Sequence, residues 1–268
     1  MKSLFQVVKE NMTNLHLIFR LSIFELKSTN SNNYLGMLWE VINPMILISI
    51  YWFVFGFGIR GGEDVNGIEY LPWMISGISV WFFISQSLIQ GSKSVYSRIN
   101  IISKMNFPMS VIPTYVITSK LYHHMVLVGI IMFILLAFGY TPTVYSLQLP
   151  YFMAANLVLL VTISLITSTL ATIVRDVQMI VQAVVRVLLY LTPILWTVEK
   201  LPESIRTIMK INPFYYIVEG YRSSLLGTDW YFLTNFRYTI YFWCLVLILL
   251  LMGSMLHLKF KDRFVDYL

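Results

Sequence analysis

One cysteine, Cys244, stands among 268 residues, so neither a disulfide framework nor a cysteine-rich metal site can be built. Charge is also scarce: Asp, Glu, Lys and Arg make up 12% of the chain, about half the roughly 25% of an average soluble domain. Too little polar surface remains to coat a water-soluble globule. That excludes a soluble enzyme, a nucleic-acid-binding domain and a disordered chain. The sequence contains no Gly-x-x-x-x-Gly-Lys phosphate loop, the cradle that would let it hold ATP in that way. His-Glu-x-x-His is missing too, and the adjacent His123 and His124 would point about 100° apart on a helix, poor geometry for one metal. Packing near the polar end of a span suits them better. No pair of carboxylates falls inside an apolar run, which weakens a proton-driven carrier or a membrane-embedded transferase.

What the chain does have is hydrocarbon. Hydrophobic residues are 57% of it and the mean hydropathy is +0.72. The reading is an all-α integral membrane protein, with room for about six helical spans of about 20 residues each. The first 40 residues carry charges throughout, unlike an export signal, so the first span is expected to stay as an anchor. Uncharged runs place the spans at 41–59, 70–92, about 108–138, about 150–174, about 177–196 and 238–258. Pro44 sits at the start of the first, where proline costs least. Gly139, Pro142 and Pro150 divide the long uncharged stretch 121–174. Lys120, at the start of the third span, is expected to extend its ammonium to the headgroups.

Residues 1–33 form an N-terminal unit of helix and hinge, and 34–268 the membrane domain. Leu4, Val8, Met12, Leu15, Phe19, Ile23 and Leu26 recur at steps of three and four, one face of an amphipathic helix. Such a helix lies in the membrane surface plane or packs on a partner. The link at about 197–236 is only half polar. Pro202–Ile211 reads as a short helix, then Asn212-Pro213 as N-cap and first turn of a second. Its apolar face is Phe214, Ile217, Tyr221 and Leu225, and Gly227 stops it. The two read as a re-entrant pair. With the N-terminus inside, eleven basic residues fall on the cytoplasmic side against six outside, five of those in the link, so both termini are expected in the cytoplasm.

Four stretches then point to one family: Tyr34-Leu35-Gly36-Met37-Leu38-Trp39-Glu40-Val41-Ile42-Asn43-Pro44, Asn100-Ile101-Ile102-Ser103-Lys104-Met105-Asn106-Phe107-Pro108, Asn212-Pro213-Phe214-Tyr215 and Phe264-Val265-Asp266-Tyr267-Leu268. In that order and spacing they resemble the membrane subunit of ABC-2 type exporters for cell-surface polysaccharides and teichoic acids, nearest in look to the wall teichoic acid exporters. The resemblance implies a homodimer docked on two cytoplasmic ATPase subunits, a two-plus-two complex in the bacterial plasma membrane. The ATPases would bind ATP and Mg; this chain would need no cofactor and would not itself be an enzyme. The cargo would be a lipid-linked anionic polymer, wall teichoic acid first. O-antigen, capsular polysaccharide or a smaller lipid or drug is the alternative.

On that reading 93–108 is a coupling segment set in a groove of the ATPase, with Val95, Ile99 and Ile102 as its apolar face and Lys104 beside them. An ordinary surface loop is the competing reading. Arg175-Asp176 is a second ATPase contact or a plain helix terminus. Arg186 lies near mid-bilayer, where a charge costs about 2.5–3.5 kcal/mol and faces a bundle interior or watery path. It is assigned to the translocation path, attracting polymer phosphates, unless it only bonds Gln182 or backbone. Tyr51, Trp52, Phe55 and Tyr190 are path candidates by sugar stacking, against ordinary interfacial aromatics. Lys27 and Arg98 are candidates to receive the lipid headgroup, and both also serve as topology charges. Ser164, Ser168 and Thr172 at four-residue spacing read as close helix packing.

Overall fold

The computed structural model describes residues 2–29, 34–98, 107–198, 201–261 and 264. Among them the chain is all helical, apart from one isolated bridge between Val65 and Ile68. Two short helices, α1 (Lys2–Thr13) and α2 (Leu15–Thr29), precede α3 (Gly36–Ile59), α4 (Tyr70–Ser92), α5 (Val111–Ala137) and α6 (Val144–Ile173). Then follow α7 (Asp176–Leu191), α8 (Glu203–Met209), α9 (Pro213–Leu226), the single turn α10 (Tyr231–Thr234) and α11 (Phe236–Phe260). Five of these, α3 to α6 and α11, are long and apolar enough to cross a bilayer. The chain is a multi-pass membrane protein.

The uncharged runs located these five to within a few residues, and α4 has the expected bounds. The remaining run behaves differently. Helix α7 stops at Leu191, so its 16 residues rise about 24 Å, short of the expected end at Trp196. Pro193 has no N–H to donate, and Thr192 turns to extended backbone as the helix ends.

Helix α4 is the centre of the bundle. In its most apolar window 78% of residues are buried, against 17% in α3. It packs on α5, α6, α7 and α9. Contact with α6 is close because Gly91 meets Ser164: a Cβ at 91 would lie 2.1 Å from the serine Oγ. Ser164, Ser168 and Thr172 are all buried, as their spacing implies. Helix α3 hangs on the edge, with Pro44 inside it and its last third, Trp52–Ile59, wound as a π-helix. Wider turns of that kind weaken the regular ladder.

The N-terminal segment divides at Asn14 into α1 and α2, so it is two helices where the spacing predicts one. Helix α2 packs on α5 and α1 on α11. Val7, Ile18 and Ser22 are the buried positions, while Val8, Met12, Leu15, Phe19 and Ile23 remain exposed. Much of the apolar stripe is thus left uncovered. At this end of the bundle Ile18, Val95, Val111, Ile112, Tyr115, Val116 and Phe264 form a second, smaller core.

Helix α9 carries the predicted cap: Asn212 Oδ1 accepts from the Phe214 N–H at 3.0 Å. Gly227 closes it in the left-handed region, with φ +69°. Its burial exceeds the single apolar face expected, because Tyr216, Val218 and Gly220 are buried along with Phe214, Ile217, Tyr221 and Leu225. An aromatic seam with α6 and α11 does this. Tyr216 stacks on Phe242 at 4.7 Å, its hydroxyl meets Thr239 at 2.9 Å, and Trp243 Nε1 donates to Tyr151 Oη at 2.9 Å.

Gly91→Ala should destabilise the purified chain by about 1–3 kcal/mol, the usual cost of overpacking. Ser164→Gly in the same chain should recover most of the loss. Thermal unfolding in detergent reads both.

Candidate functional site

The break after α7 leaves carbonyls without helical partners, and side chains meet three in succession. Arg222 of α9 donates from Nη2 to the carbonyls of Pro193 at 2.7 Å and Ile194 at 3.0 Å. Tyr70 donates its hydroxyl to Leu195 O at 2.9 Å. The guanidinium is buried, paired through Nη1 with Glu219 at 2.5 Å, and stacked 3.7 Å above the Trp73 ring. Gly77 makes the space: a Cβ there would come within 2.8 Å of Nη2. Asn212 Nδ2 reaches Thr192 Oγ1 at 2.9 Å, and Arg60, at the end of α3, reaches Thr197 Oγ1 at 3.1 Å. So α3, α4, the broken end of α7 and α9 meet at one polar knot.

Below that knot α7 presents an open face. Met179, Arg186 and Tyr190 are exposed, at steps that share one side of a helix. Arg186 lies ten residues past Asp176, about 15 Å along the axis. Among the described residues it makes no hydrogen bond or ion pair, so the structural alternative through Gln182 has no bond behind it. Tyr190 is within electrostatic reach of Tyr51. Tyr51 and Phe55 are half-buried and meet edge to face at 6.3 Å; Trp52 is exposed. Helices α3 and α7 each pack on α4, the first with an aromatic face left open and the second with Arg186 exposed.

The other end brings two turns together. Tyr96 bonds Gln178 of α7, beside the exposed Arg175 and Asp176. Burial raises the Tyr96 phenol above its ordinary range, and the nearby Arg175 guanidinium opposes the shift. Val95 departs from its expected role. It is wholly buried in the second core, so it anchors the turn and does not face outward. Ile99, Ile102 and Lys104 lie outside the described residues. Arg98 is committed to Glu25 in an ion pair and sits 5.8 Å over the Tyr115 ring. It is a brace between α2 and α5, not a free cation awaiting a headgroup. Lys27 is exposed.

A family model for ABC-2 type transporters matches residues 16–226. The chain belongs to the ABC-2 type transporter family. Two O-antigen export system permeases of Klebsiella pneumoniae are 28% and 26% identical over 245 residues, 91% of this chain and 92% of theirs. One from Myxococcus xanthus is 25% identical over 74% of this chain and 76% of its own length. These relatives are permeases, not enzymes.

Two residues of this ABC-2 permease have partners far from them in the chain. Arg222 is one of the five basic residues of the link. Its signals were Glu219 three residues earlier, an i,i+3 partner, and Trp73 with Gly77 one helical turn apart on α4. Lys120 was expected at the headgroups, yet it is buried and 3.8 Å from Glu40 of α3. A cavity of about 20 Å³ beside them is lined by Gln86, His123 and His124. His124 stacks on Phe83 and meets Tyr221 Oη at 2.9 Å, the packing role expected of it. The ion pair fastens α3 at one end as the polar knot does at the other. Lys120→Met alone should destabilise the chain by about 3–5 kcal/mol, because it removes the cation that faces the Glu40 carboxylate in a low-dielectric site. Glu40→Gln combined with it should restore a large part, read by unfolding in detergent.

Proposed function

We propose that this chain is the membrane subunit of an ATP-driven exporter that moves a lipid-linked polysaccharide of the O-antigen type across the bacterial plasma membrane. The observation that carries this is similarity to O-antigen export permeases over 91% of the chain. Wall teichoic acid, the first reading of the loop motifs, moves to second place, since relatives at 28%, 26% and 25% identity are O-antigen permeases. The energy would come from a cytoplasmic ATPase that binds ATP and Mg. Two copies of each subunit would assemble, both termini of this chain lying in the cytoplasm.

In that arrangement α7 and the irregular residues after it complete a sixth crossing, and α8 with α9 form a re-entrant pair at the outer side. Arg222 supports this, because irregular backbone survives at membrane depth only when its polar groups are satisfied. Arg186 would offer its unpaired charge to the pyrophosphate of the passing lipid, while Tyr51, Trp52, Phe55 and Tyr190 give sugar rings flat surfaces to slide along. The neighbouring turns at Tyr96 and Arg175-Asp176 would form the ATPase-facing patch, with Ile99, Ile102 and Lys104 completing it. Rigid packing of Val95 would pass ATPase motion into the bundle without loss. Lys27 would meet the headgroup first.

Purification in mild detergent should recover an ATPase subunit at one-to-one stoichiometry; its consistent absence would overturn the exporter reading. Depleting the chain should leave its polymer inside the cell, and the chemistry of that polymer separates O-antigen-type glycan from teichoic acid. Arg186→Gln should slow export several-fold with the complex still assembled. Loss of assembly would make the residue structural.

A further inference from the structure

A slot of about 340 Å³ opens between the N-terminal helices and the spanning helices α5, α6 and α11. Val7, Met12, Leu157, Val158, Val161 and Leu250 supply much of its wall. Most polar groups at its edge are paired with one another: Thr114 Oγ1 donates to Asn11 Oδ1 at 2.6 Å, and Ser110 Oγ to Glu10 Oε2 at 2.5 Å, while the hydroxyl of Thr162 has no partner among the described residues. The slot spans Leu157 to Leu165 on α6, about 12–24 Å from the Ile173 end, which is hydrocarbon depth.

Two exposed cations follow residues that line the slot, Lys9 next to Val8 and Arg20 two residues past Ile18. The two acids of α1 and α2 are turned onto the protein, Glu10 onto Ser110 and Glu25 onto Arg98. Lys9 and Arg20 pair with no carboxylate among the described residues. The N-terminal helices thus carry open cations within one helical turn of residues that line an apolar recess.

We propose that this slot binds an acyl chain of an anionic bilayer phospholipid, with Lys9 and Arg20 holding its phosphate. The bound lipid fills the gap between α1–α2 and the spans and keeps the N-terminal helices seated on the bundle. It is a resident lipid, away from the open faces of α3 and α7 assigned to cargo, and the inference needs only a membrane-inserted chain.

The test is titration of the full-length purified chain with phosphatidylglycerol or phosphatidylcholine, read by native mass spectrometry. Wild type should bind phosphatidylglycerol several-fold more than phosphatidylcholine. Val161→Trp fills the half-buried wall and should lower phosphatidylglycerol binding several-fold; Val158→Trp, at the exposed rim, should do the same without needing core repacking. Ile248→Trp, on the exposed face of α11, should change nothing. Lys9→Gln with Arg20→Gln should bring the two lipids to parity. Unchanged binding in both tryptophan variants, or a preference that survives loss of both cations, overturns the proposal. So does a tryptophan variant that keeps its lipid but loses a protein partner, since the slot would then seat a helix.

Discussion

A buried carbonyl has no water to turn to, and this fold contains a place where the helical ladder stops inside the protein. After Leu191 the chain abandons helix, and among the described residues the three carbonyls from Pro193 to Leu195 receive hydrogen bonds only from side chains of other elements. Arg222 supplies two of the bonds. It is an expensive residue to bury alone, and Glu219, Trp73 and the gap at Gly77 make the site tolerable. Everything at that end is referred to this fastening: the start of α4, the broken end of α7, and the seat of α9.

The consequence is a division of labour. Helices α4, α5, α6 and α9 share the large core and hold one another through close contacts and an aromatic seam. Helices α3 and α7 sit at its border, with much of their surface uncovered. Helix α3 is tied by polar contacts near its ends, Glu40 to Lys120 and Arg60 to Thr197, with a proline and a wide-turned segment between them. A stiff body beside two loosely attached, partly polar helices suits a permease, where a path must form and close without dissolving the core.

Much of this was legible in the chain because hydrophobic runs and charge gaps report spanning helices directly. The cap at Asn212, the stop at Gly227 and the Ser164–Thr172 stripe were local signals, and each had the local meaning expected. What escaped were long-range pairings. Nothing near Lys120 in sequence announces Glu40, and the snorkelling rule pointed it toward water. Val95 lay on the expected stripe, yet helical spacing cannot tell which side of a turn faces the protein. Arg98 looked like a spare cation because Glu25 is remote along the chain. Arg222 combined both difficulties, a charge in a link whose partners lie on α4 and beyond α7.

Hydrogen–deuterium exchange of the Arg222→Gln chain in lipid nanodiscs tests this fastening most directly. The account predicts faster exchange across residues 192–198 and 213–226, with α4 and α6 as protected as in wild type. Unchanged protection across both segments would contradict it.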